Sequence, residues 1–361
     1  MKIPVCELEF DKAGELVKAE QEAQVVSAIR NGIRHVVVLA HGWNTDKADA
    51  GQFYADFLKT VEGRYILAVQ VFWPSKKFDF PPFSPSNPNE FVRDVGAVVD
   101  SEADPMQASV EEGRVTISQK AEHPGGAAEL LRSFRLPWRR ASALRDGLSP
   151  LASGAARLLN LATYYVMKDR AGKIGREALS PLLKRIQTQA PAATKFHFAG
   201  HSFGARMLTA TVDGPNRLNL NSLLLLQAAY SHNGLSVNFD GRGNNGFFHK
   251  VITESKVRGP IVITHSRNDE AVGLAYPLAS RLNGANAARL GDANDIYGGM
   301  GANGAQHVAV NNLTLGGIND FRSPDSTIFN MNGDAIIHSH GDVARPETAA
   351  LLSALIKQFA D

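Results

Sequence analysis

"FHFAGHSFGARML", residues 196–208, joins an apolar run to a stretch with helical spacing, and the join falls on a serine set between two glycines. Phe196 to Ala199 reads as a short buried strand, while Ala205, Met207 and Leu208 recur as one face of a helix would. Turning sharply at a residue that is neither Gly nor Asn is sterically costly, so Ser202 at this corner asks for a reason.

The flanking sequence supplies a setting. Near-continuous apolar runs recur at Val36 to Ala40, Tyr65 to Val71, Ser222 to Ala229, Ile261 to Thr264 and, more weakly, Thr327 to Met331. Runs of this kind suit strands covered on both faces. Between them, Ala19 to Arg30, Gly51 to Val61, Gly175 to Gln189 and Pro346 to Phe359 have helical spacing. Alternating strands and helices predict an α/β fold with a mainly parallel sheet, whose ligands collect at the carboxyl ends of the strands.

Composition bounds the function. At 361 residues, 44% hydrophobic, 20% charged and a net charge of +2, the chain reads as globular, with no bulk charge for nucleic acid or an anionic membrane. The single cysteine, Cys6, excludes an intrachain disulfide framework and a multi-cysteine zinc site. No secretory h-region opens the chain and no apolar run is long enough to span a bilayer, so a cytoplasmic protein with no integral membrane segment is expected. Oligomeric state leaves no mark on the sequence.

From about Pro74 to Asn160 the rhythm breaks, starting with the proline-rich FDFPPFSPSNPNE. No strand is evident there. The segment, taken as residues 76–160, reads as an inserted, mainly helical cap within a single domain spanning 1–361. Its acidic front (Asp100, Glu102, Asp104, Glu111, Glu112) and basic back (Arg132, Arg135, Arg139, Arg140, Arg145, with Phe134 and Trp138) offset one another. Two motif-like stretches are read as loops: Gly241 to Gly246 spells GxGxxG without a strand–helix junction, and the Asp/Asn/Gly run at 291–304 lacks EF-hand spacing.

A serine hydroxyl attacks a carbonyl only with a general base, a carboxylate that orients the base, and donors for the developing oxyanion. Gly200-His201-Ser202-Phe203-Gly204 matches G-x-S-x-G, in which a strained strand-to-helix turn lifts the hydroxyl clear of the sheet. Taken alone, the pattern also fits a serine capping a helix. His41-Gly42-Trp43-Asn44 follows the first apolar run; the amides of Trp43 and Phe203 would form a two-donor oxyanion hole, with His41, Gly42 and His201 lining the substrate site. After the Ile261 to Thr264 run, Asp269 is favoured over Glu270 as the orienting carboxylate. After the last strand candidate, His338 and His340 both offer a base; Gly341, directly after His340, lets its loop bend toward the corner. His338, continuing Ile336-Ile337, is expected in the supporting wall of that loop. A metal reading of the two histidines with Asp334 or Asp342 finds no familiar ligand spacing, and no cofactor is expected.

Together "HGWN", "GHSFGA", "SRNDEAV" and "HSHGDVARPE" resemble the α/β-hydrolase superfamily, over roughly residues 33–72 and 175–361 and in that family's order. The resemblance implies a mostly parallel eight-stranded sheet flanked by helices and a Ser202, Asp269, His340 triad. It also implies that HGWN follows a third strand and SRNDEAV a seventh, with the insertion after the fourth where such lids more often follow the sixth. The activity implied is hydrolysis of a small-molecule acyl substrate, a carboxylic ester first, with thioesters and amides chemically adjacent. The other class is a non-catalytic ligand-binding or scaffold member of the same fold, which has no need of an intact nucleophile, acid and base.

Overall fold

The computed structural model describes residues 3–75, 167–269, 271–272, 298–317, 321 and 323–360, and the backbone of 106–111 and 114–119. The chain divides into two units: Met1–Lys76, Arg170–Pro277 and Ala287–Asp361 form one, Lys77–Asp169 and Leu278–Asn286 the other. The acidic and basic halves of the insertion, and its expected helices, lie outside the described residues except at Glu111.

In the first unit, strands β1 (Val5–Glu9), β2 (His35–Ala40), β3 (Ile66–Phe72), β6 (Lys195–His201), β7 (Ser222–Leu226), β8 (Ile261–His265), β9 (Val310–Thr314) and β10 (Ile328–Asn332) form one sheet in the order β1-β3-β2-β6-β7-β8-β10-β9. Every neighbouring pair is parallel. β2, β3 and β7 are buried at every position, which is why they read as unbroken apolar runs. The edge strands differ: β1 (VCELE) and β9 (VNNLT) are largely exposed, and neither stood out in the sequence.

Helices α1 (Glu20–Arg30), α2 (Lys47–Leu58), α3 (Ser180–Gln189), α4 (Phe203–Asp213), α5 (Lys250–Thr253), α6 (Met300–Asn303) and α7 (Pro346–Gln358) connect or cover these strands. α2 begins before the expected Gly51, because the Asp46 carboxylate accepts the Asp49 amide and caps the helix. α7 buries Leu351, Leu352, Leu355 and Ile356 in a core with Tyr54, Phe57 and Leu224. At about 1.5–3 kcal/mol for each large apolar side chain, that stripe anchors the C-terminal helix firmly.

Three expectations are corrected. Only β1 precedes β2 in the described chain, so HGWN follows the second strand, the insertion follows the third, and Asp269 follows the sixth strand of this sheet. β7 stops at Leu226 and not at Ala229, because Gln227 adopts a left-handed φ of 43° that turns the chain off the sheet. The second unit holds an antiparallel pair, β4 (Met106–Glu111) and β5 (Arg114–Gln119), where no strand was expected. Their short alternation of β-branched and polar residues around Glu112-Gly113 is weak beside the long runs elsewhere.

Register places the site. Ala40 lies beside Gly200, Gly200 beside Leu225, and Leu226 beside Thr264. The residues that follow, His41, Ser202, Gln227 and Ser266, therefore leave the sheet at one carboxyl edge.

Candidate active site

Ser202 stands between β6 and α4 with φ 57° and ψ −121°, a conformation that costs a non-glycine residue about 1–3 kcal/mol. The surroundings hold it there. Its N–H donates to the Leu226 carbonyl at 3.0 Å, and its own carbonyl accepts the Ala229 and Arg206 amides at 3.2 and 3.3 Å. The flanking glycines are required by close approach: a Cβ on Gly204 would lie 2.1 Å from the Ala40 carbonyl oxygen, and one on Gly200 would lie 2.7 Å from the Ala205 nitrogen. No larger residue fits without parting α4 from β2.

The side chain meets its expected partners. Ser202 Oγ lies 2.8 Å from His340 Nε2, and His340 Nδ1 lies 2.9 Å from Asp269 Oδ2. A carboxylate only accepts, so Nδ1 carries the proton and Nε2 is left to accept from the serine. The His340 side chain is 23% exposed and that of Asp269 is fully buried, so the imidazole reaches solvent and the carboxylate does not. Asp269 Oδ1 also accepts the Val272 amide at 3.0 Å, fixing the carboxylate against its own loop.

Two loops that carry these groups are tied together. Ser266 Oγ donates to the Ile337 carbonyl at 2.9 Å, and Asn268 Nδ2 donates to the carbonyls of Asp334 and Ile337, both at 2.9 Å. Arg267 pairs with Asp334 through its amide (2.8 Å) and Nε (2.7 Å). His338 is exposed, with its amide donating to Asp342 Oδ2 at 3.0 Å; it does not form the wall expected of it. Turned to solvent, its ring takes no part in the Ser202 constellation.

His201 and His41 lie beneath the surface groups. His201 Nε2–H donates to the His340 carbonyl at 2.8 Å, and its ring packs 4.9 Å from that of His340 and 5.6 Å from Phe53. Burial, reinforced by the neighbouring His340, lowers its pKa to about 3, so it stays a neutral donor. The sequence suggested substrate contact for His201; the hydrogen bond it makes holds the loop of His340. His41 is buried, with its amide donating to Tyr54 Oη at 2.8 Å and its ring stacked 5.7 Å from Trp73. Nδ1–H donates to the Gly42 carbonyl at 2.9 Å, and burial lowers the imidazole pKa to about 4.

A Cβ on Gly42 would lie 2.9 Å from Ser202 Cβ, so the backbone at 42 runs directly against the serine. The rings of Trp43 and Phe203, the two residues expected to supply oxyanion donors, lie 6.0 Å apart.

Gln227 escaped the sequence reading. Fully buried, it extends Nε2 to Asp269 Oδ2 at 3.3 Å from the end of β7. No motif marks it. Among the described residues, no three His, Cys, Asp or Glu side chains group as metal ligands would, and no helix is long and apolar enough to cross a membrane. The Gly241 to Gly246 stretch forms neither helix nor strand.

The fold so far defined is an eight-stranded all-parallel α/β sheet carrying a Ser-His-Asp constellation at its carboxyl edge. Family models, curated proteins and solved structures yield no match to this chain.

Proposed function

We propose that the chain is a serine hydrolase of the α/β-hydrolase type that cleaves an acyl bond, a carboxylic ester foremost. One observation carries the reading: a strained serine whose Oγ lies 2.8 Å from an imidazole that is itself 2.9 Å from a buried carboxylate. Ser202 Oγ attacks the ester carbonyl while His340 Nε2 takes its proton, and the Nδ1–H bond to Asp269 stabilises the imidazolium. The negative oxygen of the tetrahedral intermediate accepts from the Trp43 and Phe203 amides. Collapse expels the alcohol, which receives the proton from His340. Water, deprotonated by the same imidazole, then attacks the acyl-serine and frees the acid and Ser202.

The test pairs labelling with turnover. A fluorophosphonate probe should modify wild type at Ser202 and leave Ser202→Ala unlabelled, and 4-nitrophenyl esters of graded chain length should be hydrolysed by wild type alone. Equal labelling of Ser202→Ala, or no turnover of any ester, thioester or amide in such a panel, overturns the proposal.

A further inference from the structure

Gln227 sits where β7 leaves the sheet, with left-handed φ and no exposed surface. Its carboxamide has a fixed sense. Thr264 Oγ1 accepts the Gln227 amide N–H at 3.2 Å, which leaves its own proton to donate to Gln227 Oε1 at 2.8 Å. With Oε1 committed to the hydroxyl, both protons of Nε2 point the other way. One goes to the Gly301 carbonyl at 2.8 Å and the other to Asp269 Oδ2 at 3.3 Å. Thr264 and Asp269 are buried as well, so water does not substitute for any of these partners.

Space around the amide is equally constrained. A Cβ on Gly301 would lie 2.9 Å from Asp269 Oδ2 and 2.7 Å from the Gln227 carbonyl carbon. The Gly301 N–H donates to the Ala228 carbonyl at 2.9 Å and the Ser266 N–H donates to the Gly301 carbonyl at 2.9 Å. The 301 backbone thus bridges the loop after β7 to the loop that carries Asp269.

We infer that Gln227, oriented by Thr264, is a positioning residue that holds the Asp269 carboxylate in line with His340 Nδ1. The inference rests on the hydrolase reading. Asp269 Oδ2 receives both the imidazole N–H and the amide N–H, while Oδ1 is held by the Val272 amide, so neither oxygen is left to rotate the group away from the base. Gln227 touches no reacting atom; its effect runs through the acid. An amide suits the task because it is neutral: a second carboxylate here would repel Asp269, and an ammonium would compete with His340 for its charge.

Three variants test it. Gln227→Met keeps the shape and removes the donors; with the fold intact by thermal unfolding, kcat should fall about 10–100-fold while KM stays within about twofold, since no substrate contact is lost. Thr264→Val, which frees the amide to turn its oxygen toward Asp269, should behave likewise, and Thr264→Ser should restore the rate. A readout that needs no turnover is the His340 Nδ1 proton in NMR, far downfield while it is shared with Asp269 Oδ2; Gln227→Met and Thr264→Val should shift or broaden it, and Thr264→Ser should return it to the wild-type position. A folded Gln227→Met with wild-type kcat, or with an unmoved Nδ1 proton, overturns the inference. An inactive wild type would sink the hydrolase reading, while the clamp would still stand or fall on that resonance.

Discussion

β6 carries two histidines, His197 and His201, four residues apart on one face of the strand, and each meets a second histidine. At the amino end, His197 Nε2 lies 3.2 Å from His35 Nδ1 and its Nδ1 is 2.8 Å from Ser222 Oγ, all of it buried. At the carboxyl end, His201 donates to the backbone of His340, whose ring spans Ser202 and Asp269. Both ends hold a histidine within 3 Å of a serine hydroxyl. They differ in backbone and access: Ser222 opens an ordinary, fully buried strand, whereas Ser202 is strained at a strand's end beside a base that reaches solvent. A serine–histidine contact alone is core chemistry; strain, an oriented acid and exposure turn it into a candidate site.

The largest effect should come from breaking the carboxyl end. His340→Ala removes the proton acceptor, and esterase turnover should fall by about 10⁴-fold or more with the unfolding midpoint little changed, as steady-state kinetics and calorimetry would read. An active His340→Ala would erase the contrast between the two ends. Next in size is His201→Leu, which deletes the donor to the His340 carbonyl. A drop of about tenfold in kcat is expected, with part of the loss recovered in His201→Gln, whose amide can reach the same carbonyl.

The two ends should also respond to acid through the fold itself. Burial lowers the pKa of His197 to about 3, with His35 and Lys195 adding to the effect, and burial lowers His41 to about 4; an unfolded histidine titrates near 6.5. Below about 6.5 the unfolded chain takes up protons that the folded chain refuses. Stability is therefore full above that pH and is lost as pH falls toward about 4, by about 1.4 kcal/mol per pH unit for each of these two groups. Urea unfolding between pH 7 and pH 4.5 measures the slope, and His197→Gln should reduce it by one such contribution. A stability flat with pH would show that the buried histidines take up protons without unfolding. The smallest effect belongs to exposed His338: His338→Ala should leave turnover within about twofold of wild type, and a larger loss would mean that its loop is coupled to the base.

What could be read from sequence follows the same physics. β2, β3, β7 and β8 declared themselves because continuous burial demands continuous apolar residues, and Ser202, Asp269 and His340 because each ends a strand or precedes a helix within a recognisable local pattern. β1 and β9 did not. At a sheet edge, one row of backbone groups is unpaired and the side chains meet water, so VCELE and VNNLT carry no unbroken apolar signal. Gln227 and Thr264 were hidden for another reason: they meet because Leu226 and Thr264 share a register, a relation between strands that no local stretch spells out. His201 was found, but its direction was not. The residue type allowed substrate contact, and only the position of the His340 carbonyl assigns it to the loop beneath the base.

The chain order of the triad has a consequence in time. Ser202 and His340 are separated by 138 residues, and β10, the strand leading to His340, takes its place between β8 and the edge strand β9. During synthesis the strained serine emerges long before the imidazole that would activate it. On the hydrolase reading, a nascent or truncated chain lacking β10 and α7 would carry Ser202 without the imidazole that activates it, and activity during synthesis would begin only once β10 has docked between β8 and β9 and α7 has followed.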